Sequence, residues 1–273
     1  MEIRALHSHY LDNENAVELE NKVFTSREGE IYEVLRIIDG IPLFIEDHTR
    51  RFFNSAALAD IDTGLSALEI EKRIRELIAV NHAFIGNIRF SYFNRFYAFF
   101  IPHKYPDENE YRDGVPCGLL RTERINRQAK TFQENIREAT DQLIKKQNLY
   151  EVLLVDNEGN ITEGSRSNVF FIKGKQFFTT PAADVLPGTT RKRIISLIGK
   201  LKLHFTEERI GLPELSGFEA AFISGTSPRI LPVKKIDDYS FRTDHQLMRF
   251  LMGKYDDLVI RYLQEKKQSS NIC

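Results

Sequence analysis

Residues 31–44, IYEVLRIIDGIPLF, constrain the fold most. Two runs rich in β-branched and aliphatic residues flank Asp39-Gly40, a dipeptide suited to a two-residue hairpin because both central positions need positive φ. An antiparallel hairpin is therefore expected. Directly after it, EDHTRRFFNSAALADI sets Phe52, Ala56 and Ala59 on one helical stripe. SALEIEKRIRELIAVNH does the same with Leu68, Ile70, Ile74, Leu77 and Ile78, so two helices follow the hairpin. Residues 86–102, GNIRFSYFNRFYAFFIP, return to aromatic and β-branched residues around a turn at Asn94-Arg95. Strands, helices and strands again make an α+β domain.

The next stretch, PHKYPDENEYRDGVPCG, is rich in Pro, Asp, Glu and Gly and reads as a connection. It sets a boundary near residues 105–125, with one domain over 1–115 and a second over 125–273. The second domain begins with a helix in KTFQENIREATDQLIKKQ, where Phe132, Ile136, Ala139 and Leu143 share a face. Strand EVLLVD, a turn at NEGN and a hairpin around Lys173-Gly174-Lys175 follow. A helix through RKRIISLIGKL, a strand EAAFIS and a last helix near 244–264 complete the pattern. At 273 residues the chain is long enough for two modest cores.

Composition narrows the function classes. A net charge of -1 provides no field for gathering nucleic acid or anionic lipid. Two cysteines, Cys117 and Cys273, make no disulfide framework and no CxxC zinc pair. The seven histidines are scattered, so no metal site is expected. MEIRALHSHY has no basic-then-apolar leader, which with the cysteine usage leads to an expectation of a cytoplasmic protein. Neither GxGxxG nor GxxxxGK[ST] occurs, which argues against Rossmann and P-loop nucleotide sites.

Four local features carry possible chemistry. In VLPGTTRKRIISLI, Pro187-Gly188 turns the chain into a helix started by Thr189 or Thr190, whose free N–H groups form either an anion site or an ordinary cap. SGTSPRILPV follows a strand and offers Gly225 with the hydroxyls of Ser224, Thr226 and Ser227, as a ligand loop or a plain turn. Lys130 is read at the start of its helix, where the macrodipole disfavours a positive charge and helps an amine attack an aldehyde. Most lysines so placed reach into water. NITEGSRSNVFF sets Glu163 in a strand pattern that ends in buried-looking Val169, Phe170 and Phe171.

In order, EGEIYEV, EDHTRRFFNSA, AKTFQENIREA with EVLLVDNEGNITEGSRSNVFF, VLPGTTR and FEAAFISGTSPRILPV resemble the class IV aminotransferases. These are the fold-type IV enzymes that use pyridoxal 5'-phosphate, and they include branched-chain and D-amino acid aminotransferases and aminodeoxychorismate lyase. The resemblance implies a two-domain α+β fold with a smaller N-terminal domain and a larger, barrel-like C-terminal one, assembled as a homodimer. It implies that Lys130 binds the cofactor covalently and shuttles the Cα proton, and that Glu163 pairs with the pyridine nitrogen. Arg51, Gly188, the backbone of Thr189 and Thr190, and the Thr226 hydroxyl match phosphate ligands. Asn168 supports the cofactor site, and Tyr32 matches an aromatic position on the substrate side.

The substrate side departs from the family pattern. SREGEIYE stands where YGDGVFE is usual, and SYFNRFYAFF lacks the arginine-glycine segment with which several members bind the substrate carboxylate. Arg89 is either a substrate-side arginine or a strand arginine paired with a surface acid. Arg166 and Ser227 are further substrate candidates. The implied activity is transamination between an amino acid and a 2-oxo acid. The alternatives are 4-aminobenzoate formation, against which Glu33 leans because some lyases carry a catalytic threonine there, and cofactor binding without turnover.

Overall fold

A computed structural model describes residues 1–270, so Cys273 lies outside the described residues. Two units emerge. The first joins Met1–Lys104, Ala129–Glu134 and the stretch from Leu258 onward, and the second joins Tyr105–Gln128 and Asn135–Asp257. This differs from the continuous spans 1–115 and 125–273. Two pieces distant in sequence complete the first unit by pairing with its sheet and packing on its first helix.

In the first unit the chain runs through β1 (Glu2–Arg4), β2 (Leu6–Asp12), β3 (Asn15–Glu18), β4 (Val23–Thr25), β5 (Ile31–Ile38) and β6 (Ile41–Pro42). It continues through α1 (Ile45–Leu58), α2 (Ala67–Val80), β7 (Ile85–Tyr92) and β8 (Phe96–Ile101). A six-stranded antiparallel sheet has the order β3-β2-β8-β7-β5-β6, and β1 pairs with β4. Asp39 and Gly40 turn β5 into β6 with φ of 52° and 73°, the conformation their sequence favours. Asn94, φ 64°, does the same between β7 and β8.

Strand periodicity gives the sheet two different faces. Ile31, Leu35 and Ile37 of β5 and Ile88 and Phe90 of β7 share one core with Phe52 and Ala56 of α1 and Ile70, Ile74 and Leu77 of α2. Ser66 starts α2 with a capping box, its hydroxyl accepting the Glu69 N–H at 3.2 Å. The opposite face carries Tyr32, Arg89 and Ser91, since Tyr32 lies across from Ser91 in the register.

The second unit contains α3 (Glu108–Asp113), β9 (Val115–Arg121), most of α4 (Glu134–Gln147), β10 (Glu151–Val155), β11 (Asn160–Gly164), β12 (Asn168–Lys173) and β13 (Gln176–Thr179). Then come α5 (Thr189–Lys200), β14 (His204–Glu207), β15 (Ile210–Gly211), β16 (Ala220–Gly225), β17 (Arg229–Ile236), β18 (Tyr239–Ser240) and the first half of α6 (Gln246–Ser270), whose turns from Leu258 onward belong to the first unit. A ten-stranded mixed sheet runs β14-β13-β12-β16-β17-β9-β10-β11-β15, with β18 beside β17. The stretch expected as a connection holds β9, which is parallel to both β10 and β17. A Cβ at Gly118 would meet Leu149 Cδ1 at 2.5 Å, so a larger residue there would make that leucine move. Among the described residues no helix is long and apolar enough to cross a membrane.

Candidate active site

Lys130 is not at the start of a helix. It lies in an extended segment four residues ahead of α4, laid along the open edge of β5. Tyr32 donates its N–H to the Lys130 carbonyl at 3.2 Å, Phe132 donates to the Glu30 carbonyl at 2.9 Å, and Ile31 bridges Thr131. The Lys130 N–H is held at 2.9 Å by the hydroxyl of Ser55, which in turn donates to the Arg51 carbonyl. Backbone pairing on one side and α1 on the other thus fix the base of the side chain. A helix dipole has no part in tuning this amine. Its Nζ sits 4.7 Å from the centre of the Tyr32 ring.

Beneath Tyr32, on the helix-covered face, Glu33 is fully buried and gripped by α1. Arg51 donates Nε to Oε1 at 2.7 Å and Nη2 to Oε2 at 2.6 Å, while His48 Nδ1 meets Oε2 at 2.8 Å. Burial pushes the Glu33 carboxyl up, but the charge and hydrogen bonds of Arg51, with His48 assisting, outweigh it and bring the pKa to about 2. Burial holds His48 below its usual value, opposed by Glu33. The ring is therefore neutral near pH 7 and donates its Nδ1 proton to the carboxylate. Arg51, expected as a phosphate ligand, has its guanidinium plane set by this acid. Reading the sequence missed His48 and Ser55. Their signal is helical spacing, three before and four after Arg51.

On the other face Arg89 is 4% exposed and pairs with Glu30 at 3.0 Å, itself 7% exposed. The partner of this arginine is thus a buried acid and not a surface one. Its guanidinium carbon stands 3.9 Å from the Tyr32 ring centre, so Tyr32 is contacted by two cations.

The second unit brings Glu163, Asn168 and the start of α5 together. Glu163 Oε2 accepts Leu186 N–H at 3.2 Å and Asn168 Nδ2 at 3.3 Å, and the same Asn168 nitrogen donates to the Leu186 carbonyl at 3.1 Å. One acid and one amide thereby tie the end of β11 to the turn that opens α5. Gly188 precedes that helix with no side-chain cap, and no acid occupies its first turn. A Cβ at Gly188 would lie 2.0 Å from Asn168 Oδ1, so only glycine lets the turn come this close. Thr189 and Thr190 are buried in the first turn. Tyr255 of α6 bonds the Thr190 side chain, and burial pushes the tyrosine hydroxyl up to about 12. Ser224, at the end of β16, stands across from Asn168, and Thr226 and Ser227 lie half-buried in the turn beyond it.

Arg124 and Glu151 were not found from the sequence. Arg124 Nε lies 2.8 Å from Glu163 Oε1, yet its N–H does not point at any acceptor among the described residues, so the contact is an ion pair with a misaligned donor. Its Nη2 donates to the Ser165 carbonyl at 2.8 Å. Buried Glu151 accepts Ser165 Oγ at 2.7 Å, Ser167 Oγ at 2.8 Å and Arg166 N–H at 3.2 Å. This carboxylate pins the loop between Glu163 and Asn168, and the two serines around Arg166 were its sequence signal. Arg166 itself is half exposed and turned to Asp141 of α4, so its guanidinium is not gathered with Glu163.

These residues fit a phosphorylated pyridine. An ionised acid can face a ring N–H, and an uncapped helix start wired to it can face a phosphate. The misaligned Arg124 Nε is a further buried donor beside that acid.

Comparison with known proteins accords with this fit. The model of the amino-transferase class IV family matches residues 30–236. The chain is 28% identical over 249 residues to a D-alanine aminotransferase of Bacillus licheniformis, covering 82% of this chain and 84% of that protein. Its fold is similar to that of the Escherichia coli branched-chain amino acid aminotransferase, with TM-score 0.83, 20% identity, and 93% and 95% of the two chains covered. The branched-chain aminotransferase of the archaeon Thermoproteus uzoniensis, solved with norvaline, gives TM-score 0.82 at 21% identity over 93% and 95%. Another branched-chain amino acid aminotransferase, solved with pyridoxamine 5'-phosphate, gives TM-score 0.82 at 19% identity over 94% and 95%. With the expected α+β scaffold and most of the chain matched by the family model, the protein belongs to the class IV aminotransferases.

Proposed function

We propose that the protein is a pyridoxal 5'-phosphate-dependent aminotransferase exchanging an amino group between a branched-chain-like or D-amino acid and a 2-oxo acid. The wiring of Glu163 and Asn168 to the turn before α5 carries this reading. It ties a buried acid to a helix start, the two groups that a ring bearing a phosphate calls for. When bound, the cofactor supplies a carbonyl for amine exchange and a ring that takes up the electrons left as a Cα proton departs.

The chain's own residues do the rest. Lys130 holds the cofactor covalently at rest and, once displaced, moves the proton from Cα as general base. Ser55 and the β5 edge fix where its stem starts. Glu163, whose oxygens accept the Leu186 N–H and the Asn168 amide and face Arg124, keeps a ring nitrogen protonated. The N–H groups of Thr189 and Thr190, the Thr226 hydroxyl and the Arg51 guanidinium hold phosphate, and Gly188, whose own N–H donates to the Leu186 carbonyl at 2.7 Å, shapes the turn that presents them. Tyr32, Arg89 and Ser227 serve the substrate side, and Arg166 does so only if it leaves Asp141. A cytoplasmic homodimer completes the proposal, and sedimentation velocity reads the oligomer.

The lyase reading is less favoured by Glu33, which is committed to Arg51 and His48 within the helix-covered core. Reduction of the loaded protein with borohydride should fix the cofactor to the peptide containing Lys130, and Lys130→Ala should abolish the label. A panel of L- and D-amino acids should shift the cofactor absorbance, with no 4-aminobenzoate released from aminodeoxychorismate. A label on another lysine, or a spectrum indifferent to every amino acid, sinks the aminotransferase proposal.

A further inference from the structure

The sheet face that bears Tyr32 and Arg89 opens into a cavity of about 400 Å³ within the first unit. Four cations line it, Lys22, Arg27, Arg89 and Arg95, against one acid, Glu30. Two of the cations are neutralised: Arg89 by Glu30, and Arg95 by Asp12 at 3.2 Å. Lys22 and Arg27 have no carboxylate partner among the described residues.

Lys22 is nonetheless held in place. Its Nζ donates to the Tyr10 hydroxyl at 2.6 Å and stands 4.1 to 5.3 Å from the ring centres of Tyr10, Tyr97 and Phe24. Such a box orders an ammonium without cancelling its charge, and one of three donors is used. Arg27 lies over the Phe93 ring at 5.3 Å. Between the cations the wall is flat and apolar, with Phe24 stacked on Phe99 at 3.8 Å. Ser26, also in the wall, is 5% exposed, and its hydroxyl has no hydrogen-bond partner among the described residues. A buried hydroxyl left this way is unfavourable until something bonds to it.

We propose that this cavity is a subsite for a carboxylate carried on a flat ring, the side-chain end of the amino donor or 2-oxo acid. The inference rests on the aminotransferase reading, because the link to the reacting amine runs through Tyr32, which Arg89 and Lys130 both contact. Lys22 and Arg27 receive the carboxylate, since Arg89 is already matched by Glu30. The aromatic wall receives the ring.

Calorimetric titration of the holoenzyme with terephthalate, its diamide terephthalamide and inorganic phosphate tests this. The diacid should bind at least ten-fold more tightly than either of the others. The preference should vanish in Lys22→Met/Arg27→Met and survive in Lys22→Arg/Arg27→Lys. Equal binding of diacid and diamide, phosphate bound as well as the diacid, no diacid binding, or a preference that survives the double methionine variant overturns the subsite. The amino-acid-driven absorbance shift on the same samples tests the parent reading separately. Its absence with the binding preference intact removes the aminotransferase function and leaves the anion subsite standing.

Discussion

Glu33 shows how a single residue links the fold to the site. Its carboxylate is buried with two bonds from Arg51, so the ionised form is stabilised only while that geometry exists. With a folded pKa of about 2 against 4.5 for the ordinary group, the acid contributes stability that is fully present above pH 4.5 and lost as pH falls towards 2. The span corresponds to about 3 kcal/mol. Glu33→Gln strands the buried Arg51 charge and should cost about 3–5 kcal/mol at pH 7. Its deficit against the parent should shrink as pH drops from 5 to 3. Urea midpoints at several pH values read this, and a gap that stays constant with pH shows that the pair does not titrate as described. His48 adds to acid sensitivity at higher pH. Its folded value is lowered, so the unfolded chain takes up the proton first and stability declines as pH falls below about 6.5. Little of this was legible beforehand. In the sequence Glu33 stood out only as a departure from the lyase pattern, and its burial follows from the register that places it under α1, whereas Lys130, Glu163 and Arg51 were picked out by the resemblance of the motifs around them and not by their local chemistry.

At the scale of elements, what the sequence revealed follows the range of the forces. Two of the three hairpins of the first sheet depend on residues adjacent in the chain that the sequence marks, Asp39-Gly40 and Asn94, and both formed where expected. α1 and α2 bury most of the stripes their periodicity marks, but Leu68, expected on the α2 stripe, is 77% exposed because it sits in the first turn, beyond the reach of the sheet. The segment carrying Lys130 misled because Phe132 falls one helical turn before Ile136, so the pattern runs on into α4. Its actual partner is the edge of β5, about a hundred residues earlier, and no local rule reports that pairing. β9 was hidden for a similar reason. A parallel strand flanked on both sides need not alternate, and its Pro116 and Gly118 look like loop residues. The turn before α5 yields a test at this scale. Gly188→Ala directs a methyl into Asn168 Oδ1, and the turn must back away, taking the first N–H groups of α5 with it. Cofactor affinity should fall at least ten-fold while the thermal midpoint of the cofactor-free protein changes by only a few degrees. Fluorescence titration with pyridoxal 5'-phosphate measures it, and unchanged affinity means the α5 start does not hold the phosphate.

Across the whole molecule, the division into units does not follow the chain. Two domains were expected from length and from the Pro- and Gly-rich stretch near residue 105, but a boundary read from composition can only be a single cut. The first unit instead recruits residues 129–134 and the end of α6, because apolar surface left beside α1 has to be covered by whatever segment returns there. Tyr262 takes part in that covering. It is buried, its ring meets Phe44 edge-on at 4.7 Å, and its hydroxyl bonds Glu46 at 2.9 Å. Lys266 pairs with Glu46, and Lys267 reaches Asp39 at 2.9 Å. The surface lysine pair is worth little, whereas loss of the buried ring should cost about 3–5 kcal/mol, as for other large core aromatics. Tyr262→Ala should therefore lower the thermal midpoint by several degrees, Tyr262→Phe by far less, and a chain ending at Asp257 by at least as much as the alanine variant. Hydrogen exchange locates the effect: protection should fall in α1 and β5 and stay unchanged in β12 and β16 of the second unit. Uniform loss across both units, or none in α1, means that the last turns of α6 do not belong to the first core.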